Sequence, residues 1–198
     1  MTAAKTLLEL AGANLAPAKL RDGCLVLIDL QNEYVAGPIA VPTARAAIDE
    51  ARRLLAAARQ AGAPVIHVAH KGRAGGLFDR EAERGQIVAA LAPLDGEAVV
   101  EKGLPNAFAG TDLQARLAAL GRKELILAGF MTHMCVSSTA RAALDLGYRV
   151  TIDAAACGTR DLPDGRGGVI PAATLNDVAL VELSDRFAII APDADALL

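Results

Sequence analysis

The strongest constraint on the fold is an alternation. Short, unbroken apolar runs recur along the chain, separated by segments with the 3.6-residue periodicity of amphipathic helices. Cys24-Leu25-Val26-Leu27-Ile28 is the first run, and residues 64–69, 98–100, 124–128, 148–152 and 187–190 supply the others. Runs without polar alternation suit strands covered on both faces, as in parallel sheets. Between them, residues 43–61 place Ile48, Ala51, Leu55 and Ala58 on one stripe, and Leu113, Leu117 and Leu120 form a second. The segment after Thr132 carries Val136, Ala140, Ala143 and Leu144 inward, and residues 171–180 read as a last helix. Gly62, Gly121 and Gly147 stop three of these helices. Thr111-Asp112-Leu113-Gln114 has the spacing of a capping box, and residues 30–42 read as loop. With no repeat or linker, this order predicts one α/β domain over residues 1–198. Its architecture is three-layer, a doubly wound parallel sheet with right-handed crossovers. Residues 1–20, with Leu7, Leu8, Leu10 and Leu15 ahead of Pro17, read as a possible N-terminal helical extension.

Reactive side chains fall at the ends of these runs. Asp29 ends the first strand, Lys102 follows the third, and Asp153 ends the fifth. Open α/β sheets bind ligands outside the carboxyl ends of their strands. After the fourth strand comes Gly129-Phe130-Met131-Thr132-His133-Met134-Cys135-Val136, a strand, a tight turn and a helix start. A thiol in a first helical turn is favoured as thiolate by unpaired N–H groups and the macrodipole. A lone buried cysteine is more often packing. Asp29 and Lys102 at the same sheet edge change the reading. A carboxylate can accept the thiol proton, a lysine favours the thiolate, and turn amides can receive an oxyanion. The glycine-rich, charged segment 70–85 and the Gly/Pro/Asp segment 157–170 are loops at that same edge.

Composition excludes several classes. A net charge of −3 gives no reason to expect nucleic acid or an anionic membrane surface as partner. No apolar run reaches the roughly 18 residues that a membrane span needs. The N-terminus lacks the pattern of a signal peptide. Three cysteines, Cys24, Cys135 and Cys157, without paired spacing, argue for a reducing compartment, and a cytoplasmic protein is expected.

Three segments in order resemble the isochorismatase-like cysteine hydrolases, the group that includes nicotinamidases and N-carbamoylsarcosine amidohydrolases. They are Leu27-Ile28-Asp29-Leu30-Gln31-Asn32-Glu33-Tyr34, then Glu101-Lys102-Gly103 with Asn106-Ala107-Phe108, then residues 129–136 with Thr139, Ala140 and Ala143 behind them. The resemblance implies a six-stranded sheet in the order 3-2-1-4-5-6 and a catalytic triad of Asp29, Lys102 and Cys135. It also implies a non-proline cis peptide between Phe130 and Met131, and an oxyanion hole from the backbone N–H groups of Met131 and Cys135. The implied reaction cleaves a C–N bond of a small amide or ureido compound through a thioester acyl-enzyme. No cofactor is implied, and relatives commonly form dimers or larger symmetric assemblies, so a homo-oligomer is expected.

The sequence also departs from two subfamilies. Isochorismatases proper, which cleave a vinyl ether, typically lack the cysteine. Nicotinamidases bind a metal through an Asp-x-His pair and a further histidine. No Asp-x-His occurs here, and the histidines are His67, His70 and His133, so no metal is expected. Tyr34, His70, Phe108, Phe130 and His133 are pocket-wall candidates, and Arg73 could touch substrate. Gln31 and Asn32 read as supports of the Asp29 loop. Cys24 reads as strand packing and Cys157 as a bystander. Two other readings use the same residues: an ester or thioester hydrolase with this nucleophile, and a small-molecule binding protein without turnover. A nucleotide-binding Rossmann protein is disfavoured, because Asp29-Leu30-Gln31 stands where a Gly-x-Gly-x-x-Gly would follow strand one.

Overall fold

In the computed structural model, which describes residues 3–198, the apolar runs become the centre of the molecule. β1 (Gly23–Ile28) is buried at every position, and β4 (Glu124–Phe130) at every position but its first. Their neighbours are β2 (Val65–His70), β3 (Ala98–Lys102), β5 (Arg149–Gly158) and β8 (Ile189–Ala191). All five pairings are parallel, in the order β3-β2-β1-β4-β5-β8. The two intervening strands, β6 (Leu162–Pro163) and β7 (Val169–Ile170), form a separate antiparallel hairpin. Counted within the main sheet, the order is therefore the expected 3-2-1-4-5-6.

Period-two alternation sends side chains of one strand into two different cores. Leu25 and Leu27 join Ile126, Ala128 and Phe130 against α3 (Ala44–Gln60). Cys24, Val26 and Ile28 join Leu125 and Leu127 on the opposite face. That face is covered by α4 (Leu113–Leu120), α5 (Ser137–Asp145) and α6 (Ala172–Arg186). In α3 the buried positions Ala47, Ile48, Ala51, Leu54, Leu55 and Ala58 follow i, i+3, i+4 spacing, so one stripe meets the sheet. Gly121 closes α4 in the left-handed region at φ +64°.

Several local expectations need correction. The segment between β1 and α3 is not all loop, because α2 (Glu33–Ala36) forms there around the buried Glu33 and Tyr34. The Thr111 motif is not a capping box: Thr111 Oγ1 accepts the Leu113 amide at 3.2 Å and donates to the Ala107 carbonyl, while Asp112 caps nothing through its side chain. β5 does not end at Asp153 but runs to Gly158, past a register irregularity opposite Leu127 and Gly129. The leucine-rich N-terminus contributes only one helical turn, α1 (Leu7–Leu10), capped by Thr6 and tied to α6 by the Leu7 amide donating to Asp185 at 2.8 Å. Residues 1–2 of that segment lie outside the described residues.

Candidate active site

Four strand ends deliver the chemistry. β1 hands over to Asp29, β2 ends in His70, β3 ends in Lys102, and Cys135 lies just beyond β4. Asp29 is reached through a backbone in the left-handed region, φ +51°, which aspartate tolerates better than most residues. β3 and β1 are not neighbours; β2 lies between them, so their axes are about 10 Å apart, two inter-strand spacings. Lysine has the long stem this needs. Lys102 Nζ reaches Asp29 Oδ2 at 2.6 Å and donates to Cys135 Sγ at 3.3 Å. All three residues are buried, Asp29 completely.

Burial sets the electrostatics. Desolvation raises the Asp29 carboxyl above the ordinary aspartate range, opposed by the Lys102 charge. Asp29 Oδ1 has no hydrogen-bond partner among the described residues. The Cys135 thiol is pushed up to about 12, first by burial and then by Asp29, with Lys102 pulling the other way. This corrects the expectation of a thiolate favoured at rest. A dehydrated sulfur beside a carboxylate favours the protonated thiol over a second buried anion. The helix-start argument also needs correction. Thr132–Val136 is a π turn ahead of α5, not an α-helical first turn. In it the Met131 carbonyl accepts the amides of Met134 and Val136 at 3.0 and 3.2 Å and passes over that of Cys135. The Met131 amide has no acceptor among the described residues, and the Phe130–Met131 peptide is cis.

Tyr34 packs on Phe78 and Phe130 with ring centroids 5.2 and 5.5 Å apart, and His70 packs on Phe78 at 4.8 Å. These rings form one wall beside Asp29. Phe108 is not with them: the Ala107 amide donates to Thr139 on α5, and Phe108 stacks on Tyr148, outside the wall. His133 Nδ1 contacts Thr159 Oγ1 at 2.5 Å. His67 is away from the site, bound to Glu97 at 2.9 Å. Gln31 has the supporting place expected of it. It is completely buried, its amide donates to the carbonyls of His70 and Gly85 at 2.9 and 2.7 Å, and its oxygen accepts the His70 amide at 2.8 Å. Asn32 holds the same loop by donating to the Glu83 carbonyl. Asp153 is buried and pushed up to about 6 by desolvation. Cys157 sits opposite Gly129 in the sheet.

Arg160 is a candidate site residue that the sequence reading missed. Its Nε is buried without a hydrogen-bond partner, and its charge acts on both Tyr34 and His133. It stands just past the carboxyl end of β5, the same kind of position that singled out Asp29, and that placement was the available signal. As for metals, an Asp29 oxygen, a His70 nitrogen and Cys135 Sγ lie within 4.8 Å of one another. The Lys102 ammonium contacts all three residues, so a fixed positive charge already occupies the space among those donors.

Comparison with known proteins bears on this geometry. The Isochorismatase domain family matches residues 23–192. The secreted isochorismatase effector Isc1 of Verticillium dahliae is 37% identical over 188 residues, covering 94% of this chain and 96% of its own. The maleamate amidohydrolase of Pseudomonas putida is 32% identical over 149 residues, covering 67% of this chain and 70% of its own. A crystal structure of an isochorismatase from Pseudomonas putida superposes with a TM-score of 0.95 at 43% identity, covering 99% of this chain and 100% of the other.

Proposed function

Because this chain belongs to the isochorismatase family of hydrolases, we propose that it cleaves a C–N bond of a small amide or ureido compound with Cys135 as nucleophile. The observation that carries the reading is the buried network in which one lysine contacts both a carboxylate and a thiol. The existence of a relative named an amidohydrolase supports the choice of bond.

Each step has a group suited to it. Asp29 takes the thiol proton as Sγ attacks the carbonyl carbon. The carbonyl π electrons move to oxygen, where the Met131 and Cys135 amides stabilise the charge. The tetrahedral intermediate collapses to a thioester, and the departing amine takes the proton from Asp29. Asp29 then removes a proton from water as its oxygen attacks the thioester. As the adduct collapses, the C–S bond breaks, and the Cys135 thiolate leaves and takes the proton that Asp29 removed from water. Lys102 holds the Asp29 carboxylate and offsets negative charge on sulfur throughout. His133 and the Tyr34–Phe130 wall bound a small substrate, and Arg160, whose buried Nε lacks a partner, suits one that carries a carboxylate.

The test combines ammonia release from a panel of small amides with intact mass. Wild-type protein should release ammonia and show a trapped acyl adduct, with acidic amides preferred. Cys135→Ala should lose both, a fall in turnover of at least about a thousandfold, as for removal of other catalytic nucleophiles. Undiminished turnover in Cys135→Ala would sink the proposal. Turnover confined to esters or thioesters would keep the nucleophile and move the chain to the alternative reading. Equal rates for acidic and neutral amides would remove Arg160 from its role.

The partner in this reading is a small molecule, with no nucleic acid or membrane involved. No helix among the described residues is long and apolar enough to cross a membrane. Three free, buried cysteines are consistent with a cytoplasmic setting, although the Verticillium relative is named as secreted. A symmetric homo-oligomer fits the exposed apolar side chains Leu7, Leu10, Val178 and Val181 on α1 and α6. Light scattering should give a mass of at least two chains, which a monomer mass would refute.

A further inference from the structure

The Lys102 ammonium has three protons, and the triad accounts for only two of the groups around it. The third is His70, whose Nδ1 lies 3.3 Å from Lys102 Nζ. Resting on the amidohydrolase reading, we infer that His70 is a positioning residue of this site, taking the third proton of Lys102 on Nδ1 and thereby fixing the ammonium between Asp29 and Cys135.

The fold places His70 for this. β2 is the strand that Lys102 must reach across, and His70 is its last residue, in register with Lys102. Neighbouring residues in register on parallel strands point to the same face. The imidazole therefore stands beside the stem that Lys102 extends toward Asp29. His70 is in turn held at three points. The Gln31 side chain binds both its amide and its carbonyl, at 2.8 and 2.9 Å. Its ring packs on Phe78. Its Nδ1 meets Lys102. Gln31 is completely buried, a costly place for a carboxamide unless its hydrogen bonds are made, and two of its three bind His70.

The chemistry agrees with the placement. An ammonium has no lone pair, so the contact requires an unprotonated Nδ1 as acceptor. Burial, then the Lys102 charge, lowers His70 to about 4, which keeps the ring neutral near neutral pH. With Nδ1 accepting, the proton of the neutral ring resides on Nε2. Rotating the ammonium about its last bond breaks two hydrogen bonds when Asp29 and Cys135 alone hold it and three when His70 is added, so the third acceptor slows that rotation. The ammonium then stays on both Asp29 and Cys135 while the proton moves from sulfur to oxygen.

The decisive measurement is nitrogen NMR on the whole protein, read alongside Cys135 alkylation by iodoacetamide. In wild type, His70 should show an unprotonated Nδ1 and a protonated Nε2; the opposite tautomer overturns the inference without any variant. The Lys102 ammonium, assigned by its loss in Lys102→Met, should exchange its protons slowly with water. In His70→Ala that exchange should be at least about tenfold faster, and alkylation at least about tenfold slower. His70→Asn, whose carboxamide oxygen can stand where Nδ1 does, should lie within about threefold of wild type on both. A purely structural role would lower the melting temperature without changing ammonium exchange in the folded protein. Wild-type exchange in His70→Ala, or His70→Asn as impaired as His70→Ala, would refute it. If exchange follows expectation and no acyl adduct ever forms, His70 keeps its role and the amidohydrolase reading fails.

Discussion

Lys102→Met should lose about 3–5 kcal/mol of stability together with all turnover, the range expected when one member of a buried ion pair is removed. Methionine fills much the same volume, so the loss isolates the charge. What remains is Asp29, completely buried, with an oxygen that already lacks a hydrogen-bond partner. The carboxyl answers such a deficit by holding a proton, which makes the loss pH-dependent. Its folded pKa is already above the unfolded value even beside Lys102, and removing the cation raises it further. A raised acid keeps its proton in the folded state over a window where the unfolded chain has released it. Its contribution is full below the unfolded pKa and is lost as pH climbs through the folded one. Urea unfolding should therefore find Lys102→Met closer to wild type at about pH 5 than at about pH 8. Adding Asp29→Asn should recover more than half of the lost stability at the higher pH, because a neutral amide needs no counter-charge. It should not recover activity. A double variant no more stable than Lys102→Met would show that the ion pair is not what holds this region together.

Gly129→Ala should be as damaging to the fold, by about 4 kcal/mol or more, for a reason unrelated to charge. Gly129 pairs with Ile28 across the two central strands. A Cβ at this position would stand 1.9 Å from the Ile28 carbonyl oxygen and 2.8 Å from its carbonyl carbon. Both atoms belong to the backbone of a buried strand, so neither can rotate away. The glycine also has φ +133°, a region that side-chain-bearing residues avoid. Overpacking contributes about 1–3 kcal/mol and backbone strain a similar amount. Against a typical stability of about 5–15 kcal/mol, the variant should unfold at much lower urea or fail to accumulate. A loss under about 1 kcal/mol would mean that β1 and β4 can separate, and that Asp29 and Cys135 are less firmly placed than the packing implies.

Most of the scaffold was legible because its signals are local. Each central strand is a short apolar run, and three of the four covering helices, all but α6, carry their own stripe and glycine stop. The strand-end rule then brought Asp29, Lys102 and Cys135 to one edge before any contact was known. The local errors share a cause. α2 is too short to show a period, and it forms around Glu33, whose carboxylate accepts the Phe78 amide 45 residues away. β5 extends past Asp153 because its far half pairs with β4 beyond an irregularity that no local pattern encodes. Phe108 was grouped with the pocket aromatics because it follows Lys102 closely, but its amide neighbour Ala107 is tied to Thr139 on α5.

The state of the Cys135 thiol marks the boundary between the two kinds of information. Sequence alone determined the alternation, the sheet edge and the residue types at it, since these depend on periodicity and on where strands stop. Tertiary structure decided that burial pushes the Cys135 thiol up, that Lys102 passes His70 to reach Asp29, and that Arg160 Nε is buried without a partner. Those outcomes depend on desolvation and on separations of a few ångströms between residues up to 106 positions apart in the chain, Asp29 and Cys135 being the extreme pair. Neither quantity is a property of any local stretch, so both appear only when the strands are laid side by side.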